Sequence, residues 1–220
     1  MSISIKVPSK MSEIPLWKFQ KYMKLRDEND NDQFLDYKAI ELFCGIPLSD
    51  VYKLTLDSIE SILEVLSSML NEQSKHVERF KMNGVEYGFI PDLNEMTLAE
   101  YVDIDGNLSD IQTLHLAMNA LYRPIKDSKG KFYNIEEYSI KDMDRMKDMP
   151  TDAALGAIFF LTNLGKELLI DTTRYLQQVE EHQQEMDLEE NGDGTHLSMD
   201  YVTETLRRLT KLQERMSINV

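Results

Sequence analysis

The side chains suited to acid–base, nucleophilic or metal chemistry are sparse and scattered. The four histidines are His76, His115, His182 and His196, and no two stand at the i, i+4 spacing with which a helix holds zinc in H-E-x-x-H. His115 lies among Leu114, Leu116 and Met118, and reads as a partly buried, hydrogen-bonded imidazole rather than a general base. The single cysteine, Cys44, sits between Phe43 and Gly45, a setting for an inert thiol and not for an activated nucleophile. One acidic string, Asp187-x-Glu189-x-Asn191-Gly192, has the opening of a calcium-binding EF-hand loop. Ser198 stands where the twelfth position needs a bidentate glutamate, however, so the loop loses much of its coordination. The sequence has no phosphate-binding G-x-x-x-x-G-K-[ST], no G-x-G-x-x-G and no G-x-S-x-G elbow. Catalysis would need a polar pocket converging on His115, or on Glu136 and Glu137. The expectation is therefore a protein that is not an enzyme and holds neither cofactor nor metal.

The elements that would position these residues are mostly helical. Ile14, Leu16, Trp17, Phe19, Tyr22, Met23 and Leu25 recur at helical spacing and predict a helix over 13–26 that carries Lys18, Lys21 and Lys24. It has two readings, a core helix with solvated lysine tips or a basic face that docks on an acidic partner. Phe34, Leu35, Tyr37, Ile40, Leu42 and Phe43 predict a second helix released at Gly45. Ser49 is positioned to cap a short helix through Leu54, and a further helix is expected over 56–72. Asn83-Gly84, flanked by alternating residues, predicts a hairpin with strands at 77–82 and 85–90, because a type I′ turn needs positive φ at both central positions. Residues 132–135 are the best third strand, and 127–131 read as an exposed turn.

Thr97-Leu-Ala-Glu100 matches a capping box opening a helix to about Asp103. The next helix runs from Ile111 to Tyr122 and stops at Pro124. The longest helical pattern spans 151–184, apolar at first and polar later. After it come an acidic linker at 180–197 and an amphipathic helical arm at 198–220, whose apolar positions include Met199, Val202, Leu206, Leu209 and Leu212. The arm either folds back on the domain or joins a partner helix. The expected fold is thus predominantly α (α+β): a helical core domain over 1–179, a small antiparallel sheet built on the hairpin near 77–90, and a C-terminal amphipathic helix.

Composition narrows the function classes. With 39 acidic and 24 basic residues among 220, the formal charge of -15 repels a phosphate backbone and argues against general nucleic-acid binding. Residues 1–26 run the other way, with Lys6, Lys10, Lys18, Lys21, Lys24 and Arg26 against Glu13. One cysteine supplies no intrachain disulfide, which suits a reducing cytoplasm. No membrane role is expected: the best apolar run, 153–164, is short of a bilayer span and meets Lys166 and Glu167, and the basic start lacks the apolar stretch of a signal peptide.

Several strings in order give a stronger lead. Asn83-Gly84-Val85-Glu86-Tyr87-Gly88-Phe89-Ile90-Pro91-Asp92-Leu93, then Thr97-Leu98-Ala99-Glu100-Tyr101-Val102-Asp103, then Ala120-Leu121-Tyr122-Arg123-Pro124, resemble proteins from the tail-module regions of tailed bacteriophages. They are similar to tail assembly chaperones, with further likeness at Ile14-Pro15-Leu16-Trp17-Lys18-Phe19-Gln20, at Ile135-Glu136-Glu137-Tyr138 and in 153–160. The likeness spans about residues 14 to 176. It implies a helper in the host cell cytoplasm that binds the phage tape measure protein or the tail-tube protein while the tail assembles. The alternative is a structural virion protein of the neck, tail or capsid interior, packed against other virion proteins or itself.

The motif residues have structural readings. Gly84 permits the turn, Tyr87 and Phe89 fill one hairpin face beside Gly88 and Pro91, Thr97 and Glu100 cap a helix that carries Tyr101, and Pro124 stops one. Arg123 either pairs with Glu100 or Asp103, locking hairpin to helix, or contacts a partner. Partner binding is expected at Trp17, Phe19, Lys21 and Tyr22 of the first helix, and at Val202, Leu206, Leu209 and Leu212 of the arm. The thirteen methionines, Met23, Met69, Met96, Met118, Met143, Met146, Met149, Met199 and Met216 among them, suit either an adaptable binding surface or a core.

Overall fold

Small polar residues and glycines set the helix ends. The computed structural model describes residues 5–183, 203–208, 210 and 211. The sequence-based assignments for 184–202, including Val202, and those for Leu209 and Leu212 lie outside them. Helix α1 (Leu16–Glu28) follows a 3-10 turn and starts after Pro15; α2 (Asp32–Cys44) begins where Asn31 Oδ1 accepts the Phe34 N–H at 3.0 Å. It ends at Gly45 with φ 68°, the left-handed geometry that a residue without Cβ adopts at little cost. Helix α3 (Leu48–Val51) is capped by Pro47, so Ser49 lies inside it and does not cap it, a correction to the expected start. Thr55 opens α4 (Leu56–Leu70) by accepting the Ser58 N–H.

Strands β1 (Arg79–Met82) and β2 (Val85–Phe89) form the hairpin expected from Asn83-Gly84, whose φ values are 51° and 79°. Helix α5 (Leu98–Asn107) follows, running past the expected end at Asp103, and then α6 (Leu114–Leu121). The chain does not stop at Pro124. It passes directly into β3 (Tyr122–Lys129), turns at Gly130 with φ 65°, and returns as β4 (Phe132–Ile135). The four strands make one antiparallel sheet in the order β1-β2-β3-β4. The third strand in the sheet is therefore 122–129, and the expected turn at 127–131 is partly strand. Pro124 stands opposite Tyr87, where its missing N–H is tolerated, and its carbonyl accepts the Glu136 N–H at 2.9 Å.

An irregularity in register between Ile125 and Asp127 bends β4 back across the sheet. Tyr133 then lies flat on Gly88, where an added Cβ would stand 2.3 Å from the ring, and its hydroxyl donates to the Phe89 carbonyl at 2.7 Å. Arg79 lies over that ring at 4.3 Å and donates to the carbonyls of Gly130 and Lys131. Only glycine leaves room for this stack.

The core lies between the sheet and the helices. Tyr122 is fully buried, with Phe80 and Phe89 both 5.2 Å away, and its hydroxyl donates to the Val77 carbonyl at 2.7 Å. Helix α7 (Thr151–Gln183) enters beside it with Ala153, Ala154, Ala157 and Ile158 completely covered. Its start is tied to the start of the chain: Thr151 donates through N–H and hydroxyl to the Ile14 carbonyl, and Leu16 N–H donates to Met149. By length and composition the stretch Thr151–Tyr175 could cross a bilayer. That stretch includes Lys166 and Glu167, and its first turns are occupied by the core, as in the core helix of a folded domain.

Gly156 sits on the loop after α4, where an added Cβ would lie 2.1 Å from the Lys75 carbonyl oxygen. Backbone cannot yield there as a side-chain tip can, so Gly156→Ala is expected to destabilise the fold by about 1–3 kcal/mol. Gly106, inside α5 with open space around it, should gain roughly 0.5–1 kcal/mol as alanine. Chemical denaturation followed by circular dichroism measures both, and a Gly156→Ala midpoint equal to the parent's would contradict the close approach.

Candidate partner-binding surfaces

Helix α1 turns most of the expected docking face inward. Phe19 and Tyr22 are 1% and 2% exposed in the core, Tyr22 with its ring 5.1 Å from Phe43, so their assignment as partner contacts is corrected. The two rings stand at the i, i+3 spacing on the covered face of the helix, and Tyr22 meets α2 at Phe43. Trp17, Lys21 and Lys24 remain on the outside, with Lys18 Nζ 5.8 Å from the Trp17 ring centre. The core reading of this helix, buried rings with solvated lysines, is the one the structure shows. The methionines go inward too: Met23, Met69, Met118, Met146 and Met149 are core residues and not an adaptable surface.

Within the arm, residues 203–208 are helical and fold back on the domain. Leu206 is buried over Gly165, its Cδ2 2.6 Å from where a Cβ would stand, so this side chain is covered by its own chain. That corrects its assignment as a free partner contact. Thr205 and Arg208 reach α5 and enclose, with Tyr101, Ile104 and Leu108, a cavity of about 120 Å³.

The residues of the 83–124 motifs converge on a buried ion pair. Thr97 Oγ1 accepts the Glu100 N–H, while Glu100 Oε2 accepts the Thr97 N–H at 2.6 Å and its hydroxyl at 2.7 Å. The second carboxylate oxygen, Oε1, lies 2.6 Å from Arg123 Nη1, with the two side chains 3% and 8% exposed. Of the two acids expected for Arg123, Glu100 is the partner; Asp103 instead accepts the Tyr138 hydroxyl. Arg123 sits opposite Gly88 in the sheet, so α5 is bound to β2 and β3 at one point. Arg145 adds a donor to Asn119 Oδ1 at 2.9 Å and lies over the Tyr87 ring.

The histidine and cysteine chemistry is quiet. Gln20 Nε2 lies 3.1 Å from His115 Nδ1 and donates to the Ile111 carbonyl, and His115 Nε2 lies 3.4 Å from Asp144 Oδ1, beside Lys147. Burial, with Lys147 assisting, holds the imidazole below its ordinary value despite Asp144. His76 stacks on Phe160 at 4.3 Å and edges Phe89 at 4.7 Å; burial lowers it too, opposed by Glu78. Burial pushes the Cys44 thiol up to about 11, so it stays protonated and unreactive. Among the described residues no group of three or more His, Cys, Asp or Glu side chains could hold a metal ion. Glu136 and Glu137 are exposed after β4.

What remains open is a groove. It runs between the β3–β4 hairpin and the middle of α7, encloses about 1000 Å³, and is floored by Phe89, His76 and Phe160. Leu164 and Leu168 form one wall, Tyr133 and Phe132 the other, and Pro91 closes an end. Phe132 is 83% exposed, and Leu168 and Tyr175, at i and i+7 on one face of α7, are exposed as well. The sequence showed Phe132 as a strand residue and Leu168 as a helix residue; their exposure depends on the bend of β4, which no local pattern announces. No protein-family model, curated protein or solved structure is significantly similar to the chain.

Removing Arg123 leaves Glu100 buried and unpaired. Arg123→Met should cost about 3–5 kcal/mol, while Glu100→Gln with Arg123→Met, which keeps the cap and removes both charges, should recover much of it. Denaturation midpoints of the two variants check this; equal losses would mean that the ion pair is not the tie. For the histidines, a lowered folded value means that the unfolded chain binds more protons below its ordinary value of about 6.5. Their contribution is present above that pH and lost as pH falls below it through the lowered folded values. Stability measured at pH 7.5 and 5.5 should therefore fall on acidification, and His76→Leu with His115→Gln should flatten the slope.

Proposed function

We propose that this protein is a non-enzymatic bacteriophage assembly factor, a tail assembly chaperone that holds a tape measure or tail-tube protein in the host cytoplasm before the tail closes around it. The observation that carries the reading is the exposed apolar set of Phe132, Leu168 and Tyr175 beside the groove on an otherwise acidic protein. A contiguous apolar surface beside a groove is what transient capture of another chain requires, and a high net charge keeps such a complex soluble. The ordered likeness of its 83–124 motifs to phage tail-module proteins supplies the kind of partner. Trp17 and Lys21 offer a second, basic contact for an acidic segment.

Quantitative peptide mass spectrometry of purified mature virions beside the infected-cell lysate tests this. The expected result is abundance in the lysate and absence from particles. A constant copy number in virions would overturn it and assign the protein to the neck, tail or capsid interior.

A further inference from the structure

We infer that the groove between the β3–β4 hairpin and α7 receives a single amphipathic helix of a partner protein, with acidic residues along the flank that meets the hairpin. The inference rests on the assembly-factor reading above and specifies what that partner presents.

The groove has the form of a helix seat. Phe160, Leu164 and Leu168 stand at i, i+4 and i+8 on α7 and all line it. Such a row is the ridge that packs into the groove of a neighbouring helix, and here it has no neighbour of that kind among the described residues. An α-helix treated as a ~10 Å cylinder fills about 1000 Å³ in roughly nine residues, enough for apolar anchors at i, i+3, i+4 and i+7. The enclosed volume is about 1000 Å³. The opposite wall supplies Phe132, whose ring is held out by the stack of Tyr133 on Gly88.

Charge decides which helix. Lys129 and Lys131 flank the turn at Gly130 on the hairpin side of the groove, and neither takes part in an ion pair among the described residues. Of the acids lining the groove, Asp92 accepts from Asn94 and Asp127 accepts from Asn134, while Glu78 lies beside Tyr133 and His76. These acids keep their charge, but at the hairpin Lys129 and Lys131 outnumber Asp127, so that flank alone is locally positive and attracts carboxylates, while Glu78 and Asp92 lie elsewhere along the groove. In a chain of net charge -15 this local exception selects orientation more than affinity.

Two fluorescein-labelled peptides of about 18 residues, long enough to become helical on binding, provide the test. They share one leucine stripe and differ only in glutamate or lysine along one flank. Anisotropy titrations with the full chain should show the glutamate peptide binding at least about tenfold tighter. Phe132→Ser with Leu168→Ser, both at exposed positions, should abolish that binding without changing the thermal melt. Lys129→Glu with Lys131→Glu should reverse the preference. Equal binding of both peptides, binding indifferent to these substitutions, or no binding would each overturn the inference. So would a parent dimer that Phe132→Ser dissociates, since the groove would then hold a second copy. Co-expression with a phage tape measure protein separates the two levels. A tape measure kept soluble as well by Phe132→Ser/Leu168→Ser as by the parent sinks the groove alone; peptide binding without any effect on the tape measure sinks the chaperone reading alone.

Discussion

The buried pair of Glu100 and Arg123 is the constraint around which the rest is arranged. A carboxylate that has already accepted two bonds from Thr97 has one oxygen left, and Arg123 takes it in a place where neither charge reaches water. Such a pair adds little net stability over a well-packed apolar contact, yet it tolerates few alternatives, because any shift of α5 against the sheet strands two charges. It thereby fixes the angle between the hairpin and α5, the position of β3, and through β3 the path of β4 over Gly88. The exposed Phe132 is the far end of that chain of dependence.

Interior and exterior divide the residue types unusually. Most methionines among the described residues are spent on the core, while leucine and tyrosine on α7 and phenylalanine on β4 are exposed. Rigid anchors on a regular element favour a defined partner geometry over promiscuous repacking. The basic face of α1 is held outward for the same reason that its aromatic face is held in: a helix with rings at Phe19 and Tyr22 has one orientation in which they are dry, and the lysines take what is left.

Much of the fold was legible because local chemistry and tertiary contacts agree. Gly45, Asn83-Gly84 and Thr97 each solve a local backbone problem, and each is found doing so. Strand β3 was not legible, since Tyr122 and Arg123 continue an apolar helix pattern and Lys126 to Lys129 show no alternation; that segment is extended because β2 and β4 pair with it. The Arg123 contact was legible as a choice between two acids, and only the capping geometry decided for Glu100. The groove was invisible, because it belongs to no element: it is the space left when a bent hairpin meets one side of a long helix.

The bond between Thr151 and the Ile14 carbonyl joins residues 137 positions apart. At about 5–20 residues per second, a ribosome needs roughly 7–27 s to bring the second partner into existence after the first. During that interval α1 has α2 to pack against, Tyr22 on Phe43, but lacks the start of α7, so its covered face is incomplete. The chain must therefore be kept from aggregating during its own synthesis, and the lysines interleaved with those rings serve that stage as much as the finished surface.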